Sequence, residues 1–484
     1  MKLSALLKDL EVQEIYGSKS IEITGISNHS KRVSPGNLFI AKRGQVTDGN
    51  LYTPEAVASG AVAILSDIYD PSLKNVTQII HPSMTGLEGE LIARYYGYPS
   101  QELLTIGVTG TKGKTTTTYL IRHLLESQNR RSGLIGTVEY IVGHQQYPAT
   151  HTTPDVLTNH RMLRQMIQEN CQAAVMEVSS HALDQDRLYG IDCDVAVFTN
   201  LTPDHLDYHG TYQNYIEAKQ KLFQKCERAV YNADSPEWEK VLSQCSVETL
   251  SYGLISPADV TADQIQMSSE GSRFQVTCNG DTILCESPLV GIYNVSNVLA
   301  AIAAIVACGY PFQSTVAAVK SFHQVPGRME LVRNALGRKV FVDYAHSGES
   351  LRSVLECLHG LKKGRIITVF GCGGDRDPAR RVDMARAAEK YSDISIVTTD
   401  NPRSENPEKI IEDILDGFSK LDRVIVEGDR RQAIEKAIQI AANEDLILIA
   451  GKGHERFQIF LNQMVEFDDR LVVAEVCENE LATI

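Results

Sequence analysis

The sequence predicts an α/β protein of three domains, and three observations carry that expectation. Short apolar runs recur along the whole chain and several are followed by a helix-like segment, an alternation that builds largely parallel, doubly wound sheets. The chain has 484 residues, which at roughly 150 residues per domain allows about three. Two punctuated stretches divide it: "YYGYPSQE", where Gly97 and Pro99 interrupt the chain, and "HQVPGRMEL", His323 to Leu331. The domains expected are 1–98, 99–327 and 328–484.

In the first domain the strand candidates are "IEITGI", "GNLFIAKRG", "AVAILS" and "TQIIHP", which make a small α/β unit. The central domain offers "LLTIGVTG", "SGLIGTV", "AAVMEVSS" and "DVAVFTNL", with a helix over "TTTTYLIRHLLESQ". Its apolar run "VLAAIAAIVAC", Val298 to Cys308, is too short to span a bilayer and reads as a buried helix. The last domain repeats the pattern with "KVFVDYAH", "RIITVFGCGG", "ISIVTTDNP", "RVIVEGD" and "LILIAGKGHE". Almost all of these strands end in a Gly-, Asp- or His-bearing loop. Ligands of open parallel sheets sit beyond the carboxyl ends of the strands, so the chemistry is expected there.

The net charge of −14 argues against a nucleic-acid binder working through a broadly basic surface. The 10 cysteines start at Cys171 and form no C-x-x-C pair, which fits reduced thiols rather than a zinc site or a disulfide scaffold. The start "MKLSALLKDLEVQEIYG" has charges inside its apolar stretch and lacks a signal-peptide cleavage pattern. A cytoplasmic protein that is not membrane-embedded is expected, working as a monomer.

The most informative stretch is "GVTGTKGKTTTTYL", Gly107 to Leu120. Glycines let Gly110-Thr111-Lys112-Gly113 fold backbone N–H groups around phosphate oxygens, and the helix opening at Lys114, Thr115 and Thr116 adds positive potential. Lys114 suits the β- and γ-phosphates, and the Thr115 hydroxyl suits Mg²⁺. The strict G-x-x-x-x-G-K-[ST] pattern fails because Val108 stands five residues before Gly113, and Lys112 is an additional cation. Alone, the loop marks a nucleotide site without separating a kinase, a motor or a ligase. Glu177 sits near the end of an apolar strand, where a carboxylate is either ion-paired or holds a metal. "FTNLTPDHLDYHGTYQNYIEAKQKLF" is the densest polar stretch, with Asp204, His205, Asp207, His209 and Lys219. His205 follows a strand of the sheet that bears Glu177, which favours a shared metal site.

G-T-x-G-K-T-T, M-E-V-S-S-H, T-N-L-x-x-D-H-L-D-Y-H-G and Y-x-x-A-K, in this order, resemble the Mur ligase family of peptidoglycan synthesis. The resemblance continues through "GIYNVSNVLAA", "VPGRME", "VDYAH", "GCGGDRD", "DNPRSENP" and "AGKGHE", so it covers nearly the whole chain. That family uses the shorter loop G-T-x-G-K-[ST]. The resemblance implies a UDP-binding first domain, a central P-loop ATPase-type domain with a mainly parallel sheet, and a C-terminal Rossmann-like domain that binds an amino acid. It implies a ligase that activates a carboxylate with ATP as an acyl phosphate, which an amine attacks to give an amide, ADP and phosphate. An active site between domains, closing on ligands, follows from the family pattern.

By similarity Lys114, Glu177, His205 and Lys219 are the catalytic set. Thr115 and Glu177 would hold one Mg²⁺, and His205 a second with Lys219, which matches the family lysine carried as a carbamate (N6-carboxylysine). Asn294 or Asn297, Arg328, Asp343 and His346 resemble the remaining ATP contacts. Departures occur: "HSGES" follows where relatives often show "HTPD", and "HSKRVSPGNLFIA" keeps Ser30 but has His29 and Lys31 where the family has aspartate and arginine. Ser30 with Gln45, Val46 and Thr47 matches the UDP end of the acceptor UDP-N-acetylmuramoyl-L-alanyl-D-glutamate. Thr152, Thr153, Ser179, Gln185 and Arg187 match its dipeptide end.

The incoming amine implied is meso-diaminopimelate. Arg403 in "DNPR" is the distinguishing residue, because an arginine fork binds the carboxylate that diaminopimelate has and lysine lacks. Arg376, Asp400, Asn401, Pro402, Gly451 and Glu455 match the other contacts, with Glu455 and Asp400 suited to ammonium groups. The rivals are a lysine-adding Mur ligase, a folylpolyglutamate-type ligase, and a catalytically silent nucleotide-binding scaffold.

Overall fold

The computed structural model describes residues 1–44 and 47–483; Gln45 and Val46, expected at the UDP end of the acceptor, lie outside the described residues. The chain divides into two compact units, 1–258 with 300–311, and 259–299 with 312–484. The fold is α/β throughout, with parallel-rich sheets.

The first unit holds two sheets. The smaller is five-stranded, in the order Glu14–Tyr16, Thr77–Ile80, Ala63–Ser66, Asn37–Ala41, Gly25–Ser27. Every pair is parallel except the first. Its three inner strands are buried at each position, as continuous apolar strands covered on both faces must be. Of "IEITGI" only the end enters the sheet. Leu3 N donates to the Ile21 carbonyl (2.9 Å) and Ile23 N to the Met1 carbonyl (2.7 Å), so the chain start occupies the backbone groups a strand there would need.

The second sheet of this unit runs Glu248–Gly253, Cys226–Asn232, Cys193–Phe198, Leu104–Thr109, Ala173–Glu177, Ser132–Ile135, all parallel. The hairpin Glu139–Val142 and Gln145–Pro148 continues it antiparallel, an addition the sequence reading did not expect. All four anticipated central strands are present. Leu104–Thr109 lies in the interior, with Val108 opposite Glu177 on one side and Thr109 opposite Phe198 on the other. Three loops therefore leave the same sheet edge side by side.

In the second unit the six-stranded sheet has the order Glu330–Val332, Lys339–Asp343, Leu446–Ala450, Ile366–Phe370, Ile394–Val397, Val424–Val426. Only the first pair is antiparallel, and the five expected strands are the parallel ones. A meander of Val260–Ser268, Gly271–Cys278 and Asp281–Ser287 and a hairpin of Phe457–Phe460 and Gln463–Glu466 are further antiparallel features. The apolar run expected to be a buried helix is the helix Ile292–Ala307, fully buried from Val298 to Ile305. Among the described residues no helix is long and apolar enough to cross a membrane, and all ten cysteines are free thiols.

Candidate active site

The loop after Leu104–Thr109 turns through two left-handed glycines, Gly110 (φ 148°) and Gly113 (φ 86°), before the helix Lys114–Ser127 begins. Gly110 has no alternative: a Cβ there would come within 1.9 Å of Thr199 Oγ1. The neighbouring strand end pins the loop. Thr199 Oγ1 and Asn200 Nδ2 donate to the Lys112 carbonyl (2.7 and 3.0 Å), and Lys112 N donates to Asn200 Oδ1 (2.9 Å). Lys114 Nζ folds back on the Gly110 and Thr111 carbonyls, 2.9 Å each. The loop is thus preformed, with its helix N-terminus pointing at the space a phosphate needs.

Glu177 ends the strand beside the loop and is completely buried. Thr115 Oγ1 donates to its Oε2 at 3.0 Å, across 62 residues of sequence. Thr137 adds two bonds, from N to Oε1 (2.8 Å) and from Oγ1 to Oε2 (2.9 Å). The two possibilities left open for Glu177 narrow here: its carboxylate takes hydrogen bonds from two hydroxyls and a backbone N–H, and not from a cation. Thr137, just past the strand end of "SGLIGTV", is not among the residues expected from sequence, because a threonine there lacks the burial cost that singles out the Glu177 carboxylate.

Lys219, on the helix Tyr212–Phe223, is 1% exposed. Its Nζ donates to the Gly110 carbonyl (3.0 Å) and reaches Thr109 Oγ1 (3.4 Å), and lies 4.6 Å from the Tyr215 ring centre. Burial, reinforced by the Lys114 charge, holds its ammonium well below the usual lysine range. His205 stands in the left-handed region (φ 53°) just ahead of the short helix Leu206–His209. Its ring packs edge-on against His181 (4.8 Å) and faces Tyr215 at 6.4 Å. Burial lowers its pKa, with Lys114 and Lys219 adding to the effect and Asp204 opposing it. His181, not singled out from sequence, is pushed down to about 4 by burial and by its two histidine neighbours.

The residues expected at the dipeptide end meet in one network. Thr153 Oγ1 donates to the Glu177 carbonyl (2.6 Å) and accepts from Ser179 N (3.0 Å). Arg187 donates to the Thr153 carbonyl (2.8 Å) and to Gln185 Oε1. Thr152 Oγ1 lies 3.0 Å from Thr137 Oγ1. Ser30 is buried in the short helix Ser30–Arg32 beside the smaller sheet, and Thr47 is exposed with its carbonyl accepting from Gly44 N; neither joins this network by a recorded bond.

In the second unit the same sheet-edge logic gathers the other residues. Asp343 Oδ2 accepts from Met329 N (2.7 Å) and Oδ1 from Ala345 N (2.8 Å); burial raises its pKa while Arg328 counteracts. The Arg328 guanidinium stacks over Tyr344 at 4.6 Å. His346 Nδ1 lies 2.8 Å from the Tyr344 carbonyl, and His454 packs on the same ring. Asn294 Nδ2 donates to the Val290 carbonyl, and Asn297 Nδ2 to Asn294 Oδ1.

The loop after Ile394–Val397 carries Asp400 to Arg403. Asn401 Nδ2 donates to Glu455 Oε2 (2.6 Å), and Arg403 donates from N to the Ile459 carbonyl (2.9 Å) and from Nη1 to the Gly374 carbonyl (2.6 Å). The Pro402 carbonyl accepts from Glu405 N (3.0 Å). Gly451 (φ 114°) must lack a side chain, since a Cβ would lie 2.3 Å from Asp400 Oδ2. Arg376 is exposed in the loop after Ile366–Phe370.

A phosphate loop on the interior strand of a parallel sheet, followed in the chain by a second parallel sheet with polar strand-end loops, defines a nucleotide-using α/β enzyme. Three family models match successive parts: "Mur ligase family, catalytic domain" over 22–96, "Mur ligase middle domain" over 108–305, and "Mur ligase, glutamate ligase domain" over 327–453. The chain belongs to the Mur ligase family. Among similar curated proteins are the UDP-N-acetylmuramoyl-L-alanyl-D-glutamate–2,6-diaminopimelate ligases of Chlamydia pneumoniae, 44% identical over 98% of this chain and 99% of the relative, and of Chlamydia caviae, 42% identical over 99% and 100%. The ligase of the same name from Geobacillus kaustophilus is 41% identical over 98% of each chain. A solved structure of a ligase of that name superposes with a TM-score of 0.72, at 32% identity and 99% coverage of both chains. MurF from Thermotoga maritima in complex with ADP shares the fold, with a TM-score of 0.65 at 19% identity over 95% of this chain and 98% of that one.

Proposed function

We propose that the chain is an ATP-dependent acid–amino-acid ligase of peptidoglycan precursor synthesis, joining meso-diaminopimelate to the D-glutamate of UDP-N-acetylmuramoyl-L-alanyl-D-glutamate. The observation that carries the reading is Glu177. Its carboxylate takes the phosphate-loop Thr115 hydroxyl, while its carbonyl takes Thr153 of the loop expected to hold the acceptor dipeptide. Nucleotide and acceptor groups are thereby built around one residue. The full-length relatives that bear the name of this activity support the same reading.

The acceptor carboxylate attacks the γ-phosphorus and ADP leaves; the amine then attacks the acyl carbon and phosphate leaves. Repulsion between an anionic nucleotide and an anionic carboxylate opposes the first step. Lys114 at the loop and the helix N-terminus lower it by placing positive charge where the phosphates would lie. Arg187, fixed by Gln185 and Thr153, suits an anionic group of the dipeptide.

The donor set fits Mg²⁺: a hydroxyl and one buried carboxylate 3.0 Å apart, the sparse oxygen ligation this ion accepts alongside phosphates and water. Thr115 and Glu177 would hold one ion, with His205 and a carbamate on Lys219 serving another; bound Mg²⁺ would neutralise phosphate charge. The buried, readily neutral Lys219 amine suits carbamate formation, since only the free amine adds to CO₂. The domains are read as 1–98, 99–327 and 328–484, working in the cytoplasm. Arg403 favours diaminopimelate over lysine, whose ammonium it would repel.

The test is phosphate release from ATP with the UDP-linked dipeptide and either amine. Release dependent on meso-diaminopimelate and much weaker with lysine is expected. The reverse order of amines sinks the specificity, and nucleotide binding without turnover for any amine favours the scaffold. Arg403→Ala should raise KM for diaminopimelate at least tenfold and KM for ATP less than threefold, by loss of a bidentate ion pair.

A further inference from the structure

Lys452 stands between Gly451 and Gly453 in the loop after the strand Leu446–Ala450, and its side chain is 0% exposed. A buried ammonium is tolerated only where acceptors meet its hydrogens. Three do: the Phe457 carbonyl, Asn401 Oδ1 at 3.5 Å and Glu455 Oε2 at 3.5 Å. These acceptors belong to three chain segments that are further cross-bonded. Asn401 Nδ2 donates to Glu455 Oε2, Ile459 N donates to Asn401 Oδ1 at 3.0 Å, and Arg403 N donates to the Ile459 carbonyl. Lys452 is the hub that ties the Asp400–Arg403 loop, the Glu455 turn and the strand Phe457–Phe460 together.

The charge logic is specific. Both side-chain donors to Glu455, from Asn401 and Lys452, fall on Oε2, which leaves Oε1 as the oxygen able to accept a further donor. The attacking amine of a diamino acid must give up its proton, whereas its other amine stays an ammonium. A carboxylate held by one oxygen, with its second available, matches that non-reacting ammonium. We propose that Lys452 is a positioning residue for amine selection: it fixes Asn401 and Glu455 to receive the non-reacting ammonium and does not itself touch it. The proposal rests on the diaminopimelate reading above.

The test compares meso-diaminopimelate with 2-aminopimelate, which keeps both carboxylates and the reacting amine but lacks the second ammonium. Full-length wild-type protein and Lys452→Met are assayed by phosphate release with the UDP-linked dipeptide and ATP. Wild type is expected to prefer diaminopimelate at least tenfold in kcat/KM. In Lys452→Met that preference shrinks at least fivefold and KM for diaminopimelate rises at least tenfold, while KM for ATP moves less than threefold. An unchanged preference overturns the proposal. So does an equal loss toward both amines, which is what a purely structural role gives, and so does a wild type that does not distinguish the two. Wild type without turnover on diaminopimelate sinks the functional reading instead, before any variant is compared. Should Lys452→Met not fold by circular dichroism, Lys452→Gln, which keeps a donor for the Phe457 carbonyl, is held to the same thresholds.

Discussion

Lys219 bears the sharpest chemical demand of any single side chain described. A protonated amine in its surroundings would face Lys114 across a dry interior, whereas an anionic carbamate would be drawn to it. Lys219→Ala should therefore abolish ligation, with partial return on adding short carboxylic acids, and should erase a ¹³C carbamate resonance present in the wild type under labelled bicarbonate. Full activity of the variant would remove the lysine from the chemistry. Lys112 presents the opposite case. Its backbone is held by Thr199 and Asn200, which shape the loop through the main chain. Lys112→Asn should leave ATP affinity within about threefold, as expected of an exposed cation worth roughly 0–1 kcal/mol; a tenfold loss by calorimetry would give the ammonium a phosphate contact.

At the scale of elements, the loops beyond the strands do the selecting, and their backbone tolerances are tight. Gly451→Ala should cost more than about 2 kcal/mol, combining left-handed strain with overpacking against Asp400. A chemical-denaturation midpoint unchanged from wild type would contradict the crowding seen there. The strands that carry sites were legible because "LLTIGV", "AAVMEV" and "LILIA" are predominantly apolar runs followed by polar punctuation. The hairpins and meander were not anticipated. "QQYP" is exposed along its length at the end of its sheet and carries no apolar face to mark it, whereas "GSRFQVTC" alternates polar and apolar from Arg273 to Cys278, a period-2 signal present in the sequence and overlooked there. "IEITGI" misled because strand propensity says nothing about a competing segment, here the first three residues. The site was legible where a residue type is rare for its place, as with Glu177 at a buried strand end. Thr137 and Lys452 escaped because a threonine and a glycine-flanked lysine look ordinary until their partners are known.

For the whole molecule, pH acts on stability through two half-buried histidines, His181 and His454. His454 is pushed down to about 3, chiefly by burial, with Arg328 and Arg470 adding to it, and His181 moves the same way. Both stay neutral in the fold but bind protons below about pH 6.5 once unfolded. Their contribution is thus present above that value and lost as pH falls toward 3, by up to roughly 1.4 kcal/mol per pH unit for His454. Urea midpoints should drop from pH 7.5 to pH 5, and less steeply in His454→Asn; identical slopes would exclude it. The contacts of the candidate site join segments far apart in sequence: Thr115 meets Glu177 across 62 residues and Lys112 meets Asn200 across 88.

That spread has a temporal side. Gly110 receives Lys219 across 109 residues, and helix Lys114–Ser127 sits on a sheet whose neighbour Cys193–Phe198 is made much later. On the ribosome the phosphate loop emerges long before the strand and lysine that hold its shape. A nascent chain stopped ahead of residue 219 would expose the glycines without their clamp, so ATP offers it no early foothold for folding. The loop takes the full set of contacts described here only once nearly half of the chain has been synthesised, an order imposed by translation and not by the loop itself.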